Sequence, residues 1–181
     1  MKNDRKVVLY IAQSLDGFIA REDDDISWLS AVEREGEDYG YQAFVDTVDT
    51  VFMGRRTYEK VLSFGIEFPH KDRKSYVLTK SMIGSDENVT YFDGDLELFV
   101  GELKSKEGGN IFIDGGAEAV KAFKSKDLID EYVISIIPIM LGKGIRLFKE
   151  TDAESVLELI NCKSFESGLV QLTYRRVSKV V

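Results

Sequence analysis

Apolar and β-branched residues of this chain collect in short runs, VVLYIA, TVFMG, SYVLT, VTYF, NIFID, EYVISIIPIML, VLELINCKSF and LVQLTYRRV, each bounded by charged or turn-forming residues. Runs of this length and composition predict about eight strands. Between the earlier ones the spacing changes to a helical period, predicting helices over roughly Trp28 to Val48, Arg56 to Leu62, Leu96 to Ser105 and Ala117 to Lys124; in the last, Ala119, Val120 and Phe123 stand at core spacing. TVFMG and NIFID are apolar almost throughout, as strands buried on both faces are, whereas only Glu166-Ser167-Gly168 separates the last two runs, as in a hairpin. The pattern therefore predicts an α/β fold with a mostly parallel central sheet and an antiparallel C-terminal edge. In such sheets ligands bind beyond the carboxyl ends of the strands, so the strand-to-helix turns are where chemistry is expected.

Composition narrows the classes. Two prolines, no Ser/Gly linker and no repeat leave residues 1–181 as one expected domain. The formal charge of −8 opposes general attraction to nucleic acid or anionic lipid, so neither is an expected partner. Cys162 is the only cysteine and His70 the only histidine. That excludes an internal disulfide and argues against a zinc cluster, a Cys-His or Ser-His nucleophile and the ligand set of a zinc deaminase. Asp23-Asp24-Asp25 lacks calcium-loop spacing and reads as a solvated loop; no metal is expected. The first apolar run is short and broken by Gln13 and Asp16, unlike a signal peptide or a membrane span, which gives a cytoplasmic expectation.

Three turns carry residues suited to phosphate. In F-M-G-R-R-T-Y-E, Gly54 ends a buried-type strand and Arg55, Arg56 and Thr57 open a helix. Glycine admits a ligand to the backbone, the helix end offers N–H donors, and guanidinium binds phosphate in two-pronged fashion. A plain N-cap with solvated arginines has the same sequence. In I-F-I-D-G-G-A-E-A-V, Gly115-Gly116 stands between strand and helix, without the G-x-G-x-x-G fingerprint. In S-Y-V-L-T-K-S, hydroxyls and an ammonium close a strand, as an ordinary polar loop also does.

Taken in order, A-Q-S-L-D-G-F-I-A, D-I-S-W-L, F-M-G-R-R-T-Y, Y-V-L-T-K, I-D-G-G-A and I-D-E-Y-V-I-S-I-I-P-I-M-L-G-K-G-I-R-L-F resemble the dihydrofolate reductase superfamily, and most of all the reductase domain of the riboflavin-pathway deaminase-reductase. The resemblance implies a three-layer dihydrofolate reductase-like fold and NADPH as cofactor. It assigns the adenosine side and its extra phosphate to Gly54, Arg55, Arg56, Thr57, Leu78, Thr79 and Lys80. The pyrophosphate falls to Asp114, Gly115, Gly116 and Ala117, and the nicotinamide to Ala12. It implies a small pyrimidine or pterin substrate: a ribosylaminopyrimidine phosphate by the S-L-D-G and P-I-M-L-G-K-G features, or a pterin by M-G-R-x-T, which aligns Asp38 with a substrate-binding acid.

The expected reaction is hydride transfer with Asp38, or else Asp16, supplying the acid. Asp16-Gly17 is equally a turn dipeptide, and Asp38 equally part of a charged face. Trp28 and Tyr58 are candidate substrate contacts, or core aromatics. Lys143 and Arg146 are candidate contacts for a substrate phosphate, or a basic loop. The length of EYVISIIPIML points to an intersubunit sheet edge and a homodimer. The rival from another class is an NADPH-binding sensor without catalysis.

Overall fold

A computed structural model describes residues 5–150 and 154–177; the parts of the expected domain at 1–4, 151–153 and 178–181 lie outside the described residues. An eight-stranded sheet has the order β5-β4-β3-β6-β1-β7-β10-β9. Its parallel body comprises β1 (Val7–Ser14), β3 (Val48–Gly54), β4 (Lys74–Leu78), β5 (Thr90–Phe92), β6 (Asn110–Gly115) and β7 (Glu131–Ile137). The hairpin β9 (Leu157–Ser164) and β10 (Val170–Arg176) adds the antiparallel edge, β10 pairing with β7. A two-stranded ribbon, β2 (Phe18–Ala20) with β8 (Ile145–Arg146), stands apart. Among the described residues no helix is long and apolar enough to cross a membrane.

Strand alternation divides the core in two. Leu9, Phe52, Ile111 and Ile113 face α3 (Leu96–Ser105) and α4 (Ala117–Ser125), which contribute Val100, Leu103, Val120 and Phe123. Val51, Met53, Val77 and Phe112 face the other way, toward α1 (Tyr41–Val45) and α2 (Arg55–Ser63), packing with Phe44 and Tyr58. Helices on both faces of one sheet make the three layers expected.

Two expectations are corrected. The helix expected over Trp28 to Val48 is instead a 3-10 turn, Ser27–Val32, then a loop, then the short α1. Gly36 and Gly40 adopt positive φ, and so does Tyr39, at 57°, so the α-helical ladder cannot run through. The run EYVISIIPIML is not an edge: β7 lies between β1 and β10, its length reflecting a strand covered on both sides, and the edge is β9, exposed along its whole length.

At the amino ends of the central strands, the guanidinium of Arg5, only 6% exposed, donates to the Leu103 carbonyl at 3.0 Å, to Thr50 Oγ1 at 2.7 Å and to Asp49. Asp49 also accepts from the Gly109 amide at 2.9 Å, so one buried cation joins β1, β3, α3 and the entry to β6. Replacing one partner of such a pair strands the other charge. Asp49→Ala is expected to cost about 2–3 kcal/mol in urea unfolding, discounted for the half-exposed carboxylate, and a loss under 0.5 kcal/mol, within the noise of surface substitutions, would show that the network does not anchor the sheet.

Candidate functional site

The pairing of β1 with β6 stops at Leu9 and Ile113, while β1 continues beside β7 as far as Ser14. Beyond that point the sheet splits, with Tyr10 to Ala12 on one lip and Asp114-Gly115 on the other. The chain leaves β1 toward β3 on one side and leaves β6 toward β7 on the other, so the split is the topological switch point at which α/β sheets bind ligands.

The three phosphate-suited turns converge beside it. Parallel register aligns Leu78 with Gly54, and Met53 with Gly115, across β4, β3 and β6. Three strand spacings, about 14 Å, separate the Thr79 turn from Ala12. Arg55 Nη1 donates to Ser81 Oγ at 3.1 Å, joining the first turn to the third, and Ser81 is held by Thr79, whose Oγ1 accepts from its amide at 3.2 Å. Lys80 is exposed at the same turn. Arg56 instead reaches Asp24 at 2.6 Å, on the loop after β2. Of the two arginines the sequence offered, Arg55 therefore faces the third turn.

The N-termini of α2 and α4 have no side-chain cap, whereas Asp95 caps α3 by accepting from the amides of Glu97 and Leu98. Unfilled donors at a helix start are an anion site. Gly116, at the start of α4, has φ 37° and ψ 155°, and a Cβ there would lie 2.7 Å from Thr57 Oγ1. The two helix starts thus meet at a spot with no room for a side chain. Ala117 is buried behind it.

Next to Ala12 a cavity of about 600 Å³ opens on the α1 side of the sheet. Ala12, Leu29, Val32, Ile137 and Leu169 give it an apolar inner surface, Tyr10 and Ser135 a polar patch, and residues 33–39 its rim. Gln171 Nε2 binds Tyr10 Oη, Ser135 Oγ and the Tyr39 carbonyl at 3.0, 3.2 and 3.1 Å, while Tyr10 donates to the same carbonyl at 2.9 Å. This network holds Tyr39 in its left-handed conformation.

Asp38 is on the rim but not on a helix. Its carboxylate accepts from the amides of Gly40 (2.8 Å) and Gln42 (2.9 Å), starting α1, and those N–H groups, Gln42 foremost, hold it below the usual carboxylate range. Asp16 lies outside the cavity lining and clasps two loops, accepting from Ser14 Oγ at 2.6 Å, Leu141 N at 3.1 Å and Gly142 N at 2.7 Å. The Ser14 hydroxyl above all, against an opposing effect of burial, brings it down to about 2. Both carboxylates are thus held as acceptors rather than as proton donors. Trp28 does not line the cavity but is buried against three residues that do, Val32, Ile137 and Leu169. Tyr58 is turned away from it: its hydroxyl donates to Asp86 at 2.7 Å, within the second core cluster. Lys143 pairs with Glu22, and Arg146 lies over the Phe18 ring; neither lines the cavity. Asp24 and Asp25 are engaged by Arg56 and Arg21, and among the described residues no group of acids, His or Cys has the arrangement of a metal site.

Sequence reasoning missed His70. It is 1% exposed, edge-on to Phe68 and Phe112, with Nε2 3.1 Å from Asp114 Oδ2 and Nδ1 without a partner. A carboxylate only accepts, so Nε2 carries the proton. Asp114 also acts on Tyr41, whose phenol is pushed up chiefly by burial and next by that charge. The acid on one lip of the split is thereby fixed from below.

Comparison with known proteins agrees with this fold. The RibD C-terminal domain model matches residues 5–171. Uncharacterized protein YwjB of Bacillus subtilis (strain 168) is 48% identical over 174 residues, covering 96% of this chain and 99% of its own. A crystal structure from Shewanella sp. PV-4, of a protein named for riboflavin biosynthesis, is 33% identical with TM-score 0.88, over 96% of this chain and 99% of that one. The diaminohydroxyphosphoribosylaminopyrimidine deaminase/5-amino-6-(5-phosphoribosylamino)uracil reductase of Thermotoga maritima shares the fold at 17% identity and TM-score 0.70, over 96% of this chain and 57% of that one.

Gly116→Ala is expected to destabilise by about 1–3 kcal/mol, from the backbone conformation and the contact with Thr57 together. Adding Thr57→Ala relieves only the contact; a double variant as stable as wild type in thermal melts would show that the backbone carries no strain.

Proposed function

Because this chain belongs to the RibD C-terminal domain family, the reductase domain of riboflavin-pathway enzymes, we propose that it is an NADPH-dependent reductase of a pyrimidine-type or pterin-type ring. One observation carries the reading: two uncapped helix starts meet at Gly116 and Thr57, in line with the Arg55–Ser81 contact on one side and with Ala12 and the cavity on the other. The residues fit the cofactor. The amides opening α2 and α4 would hold the pyrophosphate, Arg55 with Thr79, Lys80 and Ser81 the ribose phosphate, and Ala12 the nicotinamide end. Bound there, NADPH would supply the hydride.

The protein's own part is orientation and exclusion of water. The apolar inner surface holds a flat ring beside Ala12, and Asp38 remains ionised at the rim to accept from ring N–H groups. Tyr10 and Ser135 offer hydroxyls on the inner wall. With neither Asp16 nor Asp38 tuned to donate, the proton comes from solvent at the rim. That same absence favours the second reading, a cofactor-binding sensor without turnover. Absorbance at the nicotinamide band, with dihydropterin and aminopyrimidine acceptors, separates the two, and failure to bind either nicotinamide cofactor overturns both.

Arg55→Ala should weaken NADPH roughly 10- to 100-fold and NADH little, while Arg56→Ala, directed at Asp24, should affect the two equally. Fluorescence titration measures this, and the reverse pattern would move the 2′-phosphate to Arg56. The homodimer is proposed to form along β9, where Leu157, Leu159 and Ile160 stand exposed on an edge strand with an open ladder of backbone groups. Light scattering should give twice the chain mass, reduced to a single chain by Leu159→Lys with Ile160→Lys; a wild-type monomer would end that proposal.

A further inference from the structure

We infer that the cavity selects an aminoheterocycle carrying no phosphate, and discriminates against the phosphoribosylated ring, because the segment bordering its mouth carries four carboxylates beside an apolar floor. This rests on the reductase reading above and specifies its substrate.

Glu33, Glu35, Glu37 and Asp38, all on one stretch of chain, border the opening, with Arg34 as the one cation among the lining residues. Arg34 is turned back, Nη1 donating to the Glu33 carbonyl at 2.6 Å. The floor of Ala12, Leu29, Val32 and Ile137 offers a ring dispersion contact but no charge. Clefts with one sign of charge and low-dielectric walls focus the field, so a phosphate carrying close to two negative charges meets repulsion on entry, whereas a protonated aminoheterocycle is drawn in and a neutral one meets no such barrier.

The cations suited to answering a phosphate are engaged elsewhere. Lys143 pairs with Glu22 at 3.0 Å, Arg146 stacks on Phe18 at 4.7 Å, and Arg21 and Arg56 bind Asp25 and Asp24. Asp38 meanwhile keeps acceptor capacity for the ligand. Each of its oxygens receives one backbone N–H, and a carboxylate oxygen has two lone-pair sites. An amidine-like edge, two N–H groups side by side, matches what is left.

The test titrates 2,4-diaminopyrimidine, its N-ribosyl 5′-phosphate and ribose 5-phosphate into the protein at low ionic strength, with and without saturating NADPH. The free base is expected to bind about tenfold or more tighter than the phosphorylated ring, and ribose 5-phosphate not to bind. Combined Glu33→Gln, Glu35→Gln and Glu37→Gln, all exposed positions, should close most of that gap, and 1 M salt should narrow it in wild type. Equal or tighter binding of the phosphorylated ring, or a gap unchanged in the triple variant, overturns the inference. NADPH binding is read separately: its absence would overturn the reductase reading, while titration of the cofactor-free protein would still decide the cavity's preference.

Discussion

The site depends on where two strands part. β1 and β6 hydrogen-bond only as far as Leu9 and Ile113, and beyond them Tyr10 to Ala12 form one lip of the opening and Asp114-Gly115 the other. The split persists because each strand is held from its far side, β1 by β7 along its full length and β6 by β3. Below it, Arg5 ties the amino ends together, so the sheet opens at one end without coming apart at the other.

Two binding regions of opposite character share Ala12. Toward β3 and β4 lie helix starts, glycine and Arg55, all suited to anions; toward α1 lies a hollow with carboxylates at its mouth. In the proposed reductase, such separation would let one small domain hold a highly charged cofactor and a weakly charged ring side by side without either entering the other's place.

The central strands were legible because burial on both faces leaves a compact apolar run, and the strand-to-helix turns because glycine marks where those strands end. The cavity wall was not. A charged stretch with apolar residues at irregular spacing reads as a helix from Trp28 onward, but Gly36, Tyr39 and Gly40 take positive φ and Asp38 spends its carboxylate starting α1, facts of backbone conformation that periodicity does not carry. The ribbon of β2 with β8 is too short for alternation to register, and the edge position of β9 follows from topology, not composition. The contact of His70 with Asp114 spans 44 residues of chain and links two segments that look unrelated locally. Arg55 and Arg56, adjacent and alike in sequence, are told apart only by their partners, Ser81 and Glu59 for the first and Asp24 for the second.

His70 has a spectroscopic consequence. The chain has one histidine, and its imidazole is shut away from solvent between two phenylalanine rings with Nε2 on the acid that borders the split. Its ring protons are the only histidine ring signals the chain can give, and the two neighbouring rings stand close enough to shift them. The one imidazole of the chain is therefore a single spectroscopic label standing beside the acid that borders the split.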